Sequence, residues 1–495
     1  METLSAAFQM YFQVSVLLAT LFGVAMGIVL GSIPGLTATM AIALIVPMTF
    51  SMSPVASIGM LVGAYKGGCF GGSIPAIMLN TPGTPAAAAT VLDGFEMAKK
   101  GQAGKALNTA LYSSVLADSF SDIVLILVAP PLALIALKMG PPEMTGLIIF
   151  SLLIITAVAG KSLVKGLIAA VIGLLVGTVG LDPILATRRF GFDLAQLDEG
   201  IALMPMLIGL FALSEFFINA ENKVSQGQVR MFNLTAKPGD NKLTREEKTA
   251  CAKIIGVAAS IGTVLGAVPG IGPSIAAFAS YAQAKKMSKH PEQFGKGAVE
   301  GVAAAEAGNN AVAGANLIPL LTLGIPGDVG AALLLGAFMI QGLHPGPLLF
   351  KEHLDVIYAI FMALLTANIF NFILAKQYIK IAAKVARVPK HFVFPAILVF
   401  CLVGSYGFSQ SMFDVWMTLA FGVLGYILRK NGFPVAPLLI AFILEPILEG
   451  SFRQSLLMSH GSPLIFFTHP ISAGFLAISA VGIVFTIRGK KKNLI

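Results

Sequence analysis

The chain alternates long apolar runs with short polar stretches, and several apolar runs are interrupted in their middle by Pro-Gly pairs. The run from Tyr11 to Leu30 is representative, since roughly 20 apolar residues cross the hydrocarbon core as a helix. Counting such runs predicts about twelve membrane crossings. The interruptions predict discontinuous or re-entrant helices, because irregular backbone at membrane depth is tolerated only inside protein or beside a water-filled cavity.

One interruption reads Leu-Asn-Thr-Pro-Gly-Thr-Pro from position 79 to 85. Pro82 lacks an N–H, Gly83 tolerates any backbone angle and Thr84 is a suitable N-cap, so a helix is expected to restart at Ala86. The new N-terminus presents unpaired N–H groups and the positive end of a dipole, which suits a carboxylate. Asn80 to Thr84 is therefore interpreted as part of a solute site. The alternative is a Pro-Gly turn in an ordinary surface loop.

The same pattern recurs later in the chain. Pro82-Gly83 reappears as Pro326-Gly327, with Asp328 in the N-cap position of Thr84. A second interruption, Pro34-Gly35 followed by Thr37, matches Pro269-Gly270 followed by Pro273 and Ser274. The chain is therefore predicted to consist of two related halves, residues 1–219 and 254–495, joined by a linker at 220–253.

Charged residues in corresponding loops predict how the halves are oriented. The loop after the first interruption is uncharged at 50–57 but lysine-rich at 285–296, whereas the loop after the second is lysine-rich at 99–105 and nearly free of lysine at 343–355. Short cytoplasmic loops collect Lys and Arg, so the halves are predicted to be inverted repeats, as in secondary transporters. The basic linker and the basic C-terminus are predicted to be cytoplasmic. One pair does not fit, since 161–165 and 429–430 are both basic.

Composition supports a membrane protein and excludes several other classes. The 495 residues are 56% hydrophobic and only 12% charged, which rules out one water-soluble domain. The formal charge of +9 comes from loop residues without interleaved aromatic residues, so nucleic-acid binding is not expected. The three cysteines have no CxxC spacing, and neither a disulfide framework nor a zinc site is expected. The first apolar run is predicted to be a retained span rather than a signal peptide.

Ionisable residues inside apolar runs are functional candidates, because charge is costly in a membrane. Lys66 lies in such a run, and a snorkelling residue near the interface is the alternative. Asp118 and Asp122 lie one helical turn apart. On one helix face, two carboxylates require a partner, a cation or a proton, unless they occupy an exposed helix end.

The segment Gly301 to Ala311 combines small residues with Glu306, Asn309 and Asn310. Small residues allow close helix approach, and asparagine and backbone carbonyls are hard oxygen ligands. A sodium site and a hydrogen-bonded helix crossing both remain open. The residues expected at a coupling cation are Glu306, Asn309, Asn310 and Asn316.

Three stretches together resemble the large membrane subunit of the tripartite tricarboxylate transporters, the TctA family: 71–85 with its Asn-Thr-Pro-Gly-Thr-Pro core, 93–107 (Asp-Gly-Phe-Glu-Met-Ala-Lys-Lys-Gly and onward), and 306–327. The likeness covers almost the whole chain. It implies a permease of the bacterial inner membrane that works with a small membrane subunit and a periplasmic solute-binding protein. It also implies ion-driven uptake of citrate-like or other organic carboxylates, and the absence of a Walker A sequence agrees with this.

The leading hypothesis is therefore carboxylate–cation symport by alternating access, driven by sodium ions or protons, with no cofactor and no enzymatic activity. The residues expected at the substrate are Lys66, Ser73, Asn80, Thr81, Gly83, Thr84, Pro34, Gly35, Thr37, Pro269, Gly270, Ser274, Gly324, Pro326, Gly327 and Asp328. Lys66 would pair with a carboxylate or stand in for a coupling cation. The alternatives are an intramembrane metal-dependent enzyme that uses Asp118 and Asp122, and a passive anion channel.

Overall fold

The computed structural model describes residues 2–158, 162–182, 184–221, 242–382 and 390–492. Most of the predicted basic linker, 222–241, lies outside these ranges, as does Lys161. The described chain is an all-α polytopic membrane protein, as the apolar runs predict.

The first half contains eleven α-helices within the described ranges. They are α1 (Glu2–Tyr11), α2 (Val14–Gly31), α3 (Ala38–Ile45), α4 (Pro54–Gly71), α5 (Ser73–Leu79), α6 (Ala87–Lys99), α7 (Ala103–Ala136), α8 (Pro141–Val158), α9 (Leu163–Gly177), α10 (Leu203–Leu207) and α11 (Ser214–Glu221). A π-helical segment, Ile208–Leu213, joins α10 to α11, and short 3-10 helices cover Val46–Thr49 and Ala195–Leu197. Two short strands, β1 (Gly180–Leu181) and β2 (Arg188–Arg189), pair antiparallel.

The second half repeats much of this order. Its helices are α12 (Arg245–Gly266), α13 (Pro273–Met287), α14 (Val299–Ala315), α15 (Leu317–Leu323), α16 (Val329–Ile340), α17 (Leu349–Glu352), α18 (Leu354–Tyr378), α19 (Lys390–Ser409), α20 (Met412–Lys430), α21 (Val435–Met458), α22 (Ile465–Thr468) and α23 (Pro470–Lys492). A 3-10 helix covers Pro291–Gln293.

Eight helices of the described chain are long and apolar enough to cross a membrane: Val14–Gly31, Ala103–Ala136, Pro141–Val158, Leu203–Glu221, Arg245–Gly266, Leu354–Tyr378, Met412–Lys430 and Val435–Met458. Five shorter apolar helices accompany them. Large apolar side chains such as Leu127 and Leu134 on α7 are exposed, as expected of surfaces that face lipid. The total of about twelve crossings stays a prediction.

Glycines bring α2 and α4 into close contact. A Cβ placed at Gly23 would lie 1.9 Å from the Met60 carbonyl oxygen, and one at Gly27 would lie 2.3 Å from that of Ala64. The equivalent helices of the second half, α12 and α14, meet in the same way, since a Cβ at Gly262 would lie 2.6 Å from the Gly308 carbonyl oxygen. Both halves thus use small residues for the same helix crossing. The opposite orientation of the halves in the membrane stays a prediction.

The predicted helix interruptions are present in both halves. The chain breaks between α2 and α3, between α5 and α6, between α12 and α13, and between α15 and α16. Helix α13 begins at Pro273, and α6 begins at Ala87, one residue later than expected. This delay has a local cause: the Thr84 carbonyl oxygen and its hydroxyl both accept from the Ala87 N–H, at 3.1 and 3.2 Å, so a single turn precedes the helix.

A cluster of charged residues orders the connection between α9 and α10. Asp182 accepts hydrogen bonds from the backbone N–H groups of Leu185 and Ile184 and from Arg453. These donors stabilise the carboxylate, first the Leu185 amide and then Arg453, and hold the pKa of Asp182 well below its usual range. Arg189 at the end of β2 binds Glu449 on α21. The hairpin is therefore tied to the second half of the chain.

Candidate functional site

Four helix N-termini line one cavity of about 500 Å³. They belong to α3, α6, α13 and α16, the four helices that follow the predicted interruptions. Helix N-termini carry unpaired N–H groups and partial positive charge. The cavity is thus surrounded by groups that favour an anion.

The two N-termini of the first half are shaped by threonines. Thr37 caps α3, because its hydroxyl accepts from the Met40 N–H at 3.2 Å, and it lies 2.8 Å from the Thr39 hydroxyl. Thr84 holds the turn before α6 and also lines the cavity. Gly83 lies immediately before it, packed so closely that a Cβ would be 2.7 Å from the Gly72 Cα. Only a glycine fits at that position without a shift of the backbone.

In the second half, a main-chain hydrogen bond ties the two interruptions together. The Gly270 N–H donates to the Gly327 carbonyl oxygen at 2.7 Å. Asp328 caps α16 by accepting from the Ala331 N–H at 2.8 Å, as predicted. Ser274, in the first turn of α13, lines the cavity with Gly270, Gly327 and Asp328. The second half therefore contributes a rigid pair of helix ends.

The short helices α5 and α15 both end in a left-handed residue. Asn80 has φ 55° and Gly324 has φ 72°. At Asn80 and Thr81 the chain is exposed, and the Thr81 hydroxyl donates to the Leu79 carbonyl oxygen. Neither of these two residues lies among those that line the cavity.

The structure thus separates the predicted substrate residues into two groups. Those that line the cavity are Thr37, Thr84, Gly270, Ser274, Gly327 and Asp328. Those that shape the interruptions or lie behind the cavity are Pro34, Gly35, Lys66, Ser73, Asn80, Thr81, Gly83, Pro269, Gly324 and Pro326. Of the residues predicted for a cation, Asn309 lines the cavity, whereas Glu306, Asn310 and Asn316 lie behind it. Substrate and cation contacts of all these residues stay predictions.

Lys66 is fully buried, which excludes the snorkelling alternative. Its Nζ lies 2.9 Å from Asp118 Oδ1 and 2.6 Å from Asp122 Oδ2, and 3.3 Å from Asn368 Oδ1. The two carboxylates therefore have the partner that their spacing requires, and they do not form an exposed helix end. Lys66 is not oriented towards the cavity in this arrangement.

Glu306 accepts several hydrogen bonds where α14 crosses the first half. Its carboxylate accepts from the hydroxyls of Ser73 on α5, Thr90 on α6 and Ser114 on α7. Asn310 donates to Ser114 and to the Glu306 carboxylate. The segment thus forms a hydrogen-bonded helix crossing, one of the two alternatives that the sequence leaves open.

A second polar bridge joins the halves at the cavity wall. The Tyr65 hydroxyl donates to Asp328 Oδ2 at 2.8 Å and accepts from Asn316 Nδ2 at 3.2 Å. Asn316 Oδ1 has no partner within the described chain, and Gly327 packs directly against it. The N-cap of α16 is therefore held by α4 of the other half.

Two polar features of the cavity are visible only in the structure: the ion pair of Arg429 and the unpaired amide of Asn309, a residue predicted for the cation. Arg429 on α20 binds Glu215 on α11, and both line the cavity. Asn309 Nδ2 is buried and has no partner within the described residues. An unpaired amide donor beside four helix N-termini adds to the preference for an anion. The sequence shows that 429–430 is basic, but only the fold shows where Arg429 lies.

A third missed feature is Asp93 on α6, which holds the loop between α13 and α14. Its Oδ1 accepts from the backbone N–H groups of Gly295, Gly297 and Ala298, each at 2.8 Å. Its Oδ2 accepts from the Tyr281 hydroxyl, also at 2.8 Å. This carboxylate joins the two halves, and its place in the Asp-Gly-Phe-Glu-Met motif was the available signal.

Groups of potential metal ligands are small in the part of the chain that the structure describes. No group of three or more His, Cys, Asp or Glu side chains there could hold a metal ion. Cys69, Cys251 and Cys401 are all buried and free. The cavity wall carries hydroxyls, the Asn309 amide, and the carboxylates of Asp328 and Glu215.

Comparison with known proteins gives consistent results. A family model described as Tripartite tricarboxylate transporter TctA family matches residues 17–440. A relative from Agrobacterium vitis, the "Uncharacterized 52.8 kDa protein in TAR-I ttuC' 3'region", is 39% identical over 462 residues, 92% of this chain and 91% of the relative. A second one, the "Uncharacterized protein in TAR-II ttuC' 3'region" of the same organism, is 39% identical over 237 residues, 47% of this chain and 98% of the relative. No solved structure matches the chain.

Proposed function

Because the chain belongs to the tripartite tricarboxylate transporter TctA family, we propose that it is the ion-coupled permease subunit of an uptake system for an organic di- or tricarboxylate. In this system, a periplasmic solute-binding protein delivers the carboxylate, and a small membrane subunit accompanies the permease. The permease resides in the bacterial inner membrane, with its C-terminus and central linker in the cytoplasm.

The observation that carries this proposal is the meeting of four helix N-termini at one cavity. Each end favours negative charge by roughly 0.3–1 kcal/mol when exposed and by more when partly buried. A tricarboxylate has several negative groups and can engage more than one end at a time. A mainly apolar cavity without such donors would not compensate for the desolvation of these charges.

The side chains at the cavity supply the specific contacts. The hydroxyls of Thr37, Thr84 and Ser274 lie at helix ends that face the cavity, and Asn309 reaches the cavity from the middle of α14. Both halves contribute to the wall, so relative movement of the halves would open the cavity first to one side and then to the other. This is the geometry expected of alternating access.

Reconstitution tests the proposal directly. Proteoliposomes that contain the permease with its small membrane subunit would be supplied with the solute-binding protein and [14C]citrate, followed by labelled succinate and malate. Accumulation under an imposed sodium or proton gradient, dependent on the binding protein, supports the proposal. Current without accumulation would indicate a channel, and failure of all three acids under both gradients would refute the carboxylate assignment.

A matched pair of variants tests the cavity itself. Thr84→Val removes a hydroxyl from the cavity wall and from the turn before α6, and we expect it to raise the KM for the transported acid. Thr249→Val makes the same chemical change at an exposed position near the start of α12, and we expect it to leave uptake unchanged. Equal uptake kinetics in both variants would argue against this cavity as the binding site.

A further inference from the structure

We propose that Lys66, Asp118 and Asp122 form the proton-binding site that couples transport to the proton gradient. This inference rests on the function proposed above and adds the identity and location of the coupling ion. The three residues are called the triad below.

The triad is enclosed by protein. Lys66 is 1% exposed, Asp118 2% and Asp122 0%. Lys66 comes from α4 and the two aspartates from α7, and Asn368 on α18 closes the group by donating to Asp122 Oδ2 at 2.8 Å. Lys66 Nζ donates to Asp122 Oδ2 and to Asn368 Oδ1, and it forms an ion pair with Asp118 Oδ1 at 2.9 Å.

The charges of the triad do not balance when every member is ionised. Two carboxylates and one ammonium leave a net charge of −1 in a buried site of a membrane protein. An uncompensated buried charge is strongly unfavourable, and a group in that position takes up a proton or a counter-ion. One proton makes the triad neutral.

The geometry favours a proton over a metal cation. The Lys66 ammonium already occupies the space between the two carboxylates, and a sodium ion there would be repelled by it. Asp122 Oδ1 has no partner within the described chain, and a Cβ at Gly314 on α14 would lie 2.5 Å from it. The close packing of α14 at Gly314 thus limits the space beside this oxygen for the further oxygen ligands that a hard cation needs.

Asp118 is the member that carries the exchangeable proton. Asp122 Oδ2 accepts from both Lys66 and Asn368, which stabilise its negative charge. Within the described chain, Asp118 is paired with Lys66 alone. The less stabilised carboxylate is the one that is protonated first.

The position of the triad explains how a proton would affect the cavity. Tyr65 and Cys69 on α4 line the cavity, whereas Lys66, which lies between them in the sequence, contacts Asp118 on α7. The triad also joins α7 of the first half to α18 of the second. A change in its charge therefore acts on the contact between the halves.

Other titratable groups near the triad are few in the described chain. On α4, Cys69 and Tyr65 lie on either side of Lys66, and Tyr65 binds Asp328. On α14, which packs against α7, Glu306 is held by Ser73, Thr90 and Ser114. Helix α18 presents Asn368, which does not titrate. Glu306 and Asp328 thus have their own donors, separate from the triad.

Infrared difference spectroscopy of the purified protein tests proton binding without a transported substrate. The charge count predicts that the C=O band of a buried carboxylic acid is lost in Asp118→Asn and equally in Asp122→Asn, because in each variant the remaining aspartate balances Lys66. In Lys66→Met the band should increase, since both carboxylates then need protons. Asp193→Asn, an exposed control, should leave the spectrum unchanged. Glu306 and Asp328 can give buried-acid bands of their own, so the variants are compared with the wild type. If whichever Asn variant folds retains the full buried-acid absorption of the wild type, the proposal is overturned.

Transport measurements separate this inference from the proposed function. In the proteoliposomes with labelled citrate, succinate and malate, the wild type should accumulate the transported acid under a pH gradient without sodium. Asp118→Asn should lose this accumulation but keep exchange of internal for external acid. Accumulation that needs sodium and ignores the pH gradient would overturn the proton site and leave the carboxylate function intact.

Discussion

Replacing Asp93 with alanine removes the carboxylate that connects α6 of the first half to the loop before α14 in the second. Four donors lose their acceptor: the N–H groups of Gly295, Gly297 and Ala298 and the Tyr281 hydroxyl. Asp93 itself is 0% exposed. We expect Asp93→Ala to destabilise the contact between the halves more than any single-hydroxyl deletion at the same place.

The loss of stability depends on whether each donor, once it has lost the Asp93 carboxylate, can bind water instead. Hydrogen bonds to a charged acceptor contribute about 1.5–3 kcal/mol each, and a buried donor left unpaired costs about 1–3 kcal/mol. Ala298 is buried, whereas Gly295 is exposed and can bind water instead. The expected loss for Asp93→Ala is therefore about 3–5 kcal/mol rather than the full sum.

Two variants serve as internal controls. Asp93→Asn keeps an oxygen in the position of Oδ1 for the three backbone donors, and the Tyr281 hydroxyl can accept from the new amide, so we expect a loss of about 1 kcal/mol. Tyr281→Phe removes one hydrogen bond and should also cost about 1 kcal/mol. The order of stability should be wild type, then these two variants, then Asp93→Ala.

The three buried free cysteines provide the assay. A thiol-reactive fluorogenic dye reacts with Cys69, Cys251 and Cys401 only as the detergent-purified protein unfolds, and the midpoint temperature ranks the variants. Because membrane proteins seldom unfold reversibly, the ranking and not an absolute free energy is compared. A midpoint for Asp93→Asn as low as that for Asp93→Ala would refute the reasoning, since it would show that the backbone donors do not depend on Oδ1.

Three further predictions use the same dye assay. Gly23→Ala should lower the midpoint markedly, because the new Cβ would lie 1.9 Å from the Met60 carbonyl oxygen, whereas Gly256→Ala, with nothing within 4 Å, should not; equal midpoints would contradict the close crossing of α2 and α4. Asp328→Ala should cost about 1–2 kcal/mol through loss of the N-cap, and Asp328→Asn should restore at least half of that. Because the pKa of Asp182 is lower in the folded protein than in the unfolded chain, its ionised carboxylate stabilises the fold fully above about pH 4, and this stabilisation is lost as the pH falls through the folded-state pKa. Asp182→Asn should therefore reduce the difference in unfolding midpoint between neutral and acid buffer. An unchanged difference would contradict that role.

Local chemistry predicted the helix interruptions well. Pro and Gly restrict or free the backbone within a few residues, and Thr37 and Asp328 cap helices through atoms three residues away. Because the Pro-Gly motif recurs, the sequence also predicts that the four interruptions form two corresponding pairs. The helix interruptions and their N-caps depend on residues close together in the sequence, so the sequence alone predicts them.

The sequence does not predict which residues contact the buried charges. Lys66 and the Asp118–Asp122 pair were each recognised as unusual, but their contact spans more than 50 positions and depends on how α4 packs against α7. The same applies to Asp93, whose three backbone donors lie about 200 positions away in a loop with no motif of its own. For Asn80 and Thr81, the motif located the interruption correctly but not the direction of their side chains.

The left-handed residues that end α5 and α15 have a practical consequence. Position 80 is an asparagine and position 324 a glycine, two residue types that reach positive φ at little cost. The two positions thus share a backbone angle but not a side chain. An Asn80→Gly exchange should therefore preserve the end of α5. It is the first step towards chimaeric proteins in which segments are exchanged between the two halves, and transport by such chimaeras would show which half binds the substrate and which half moves.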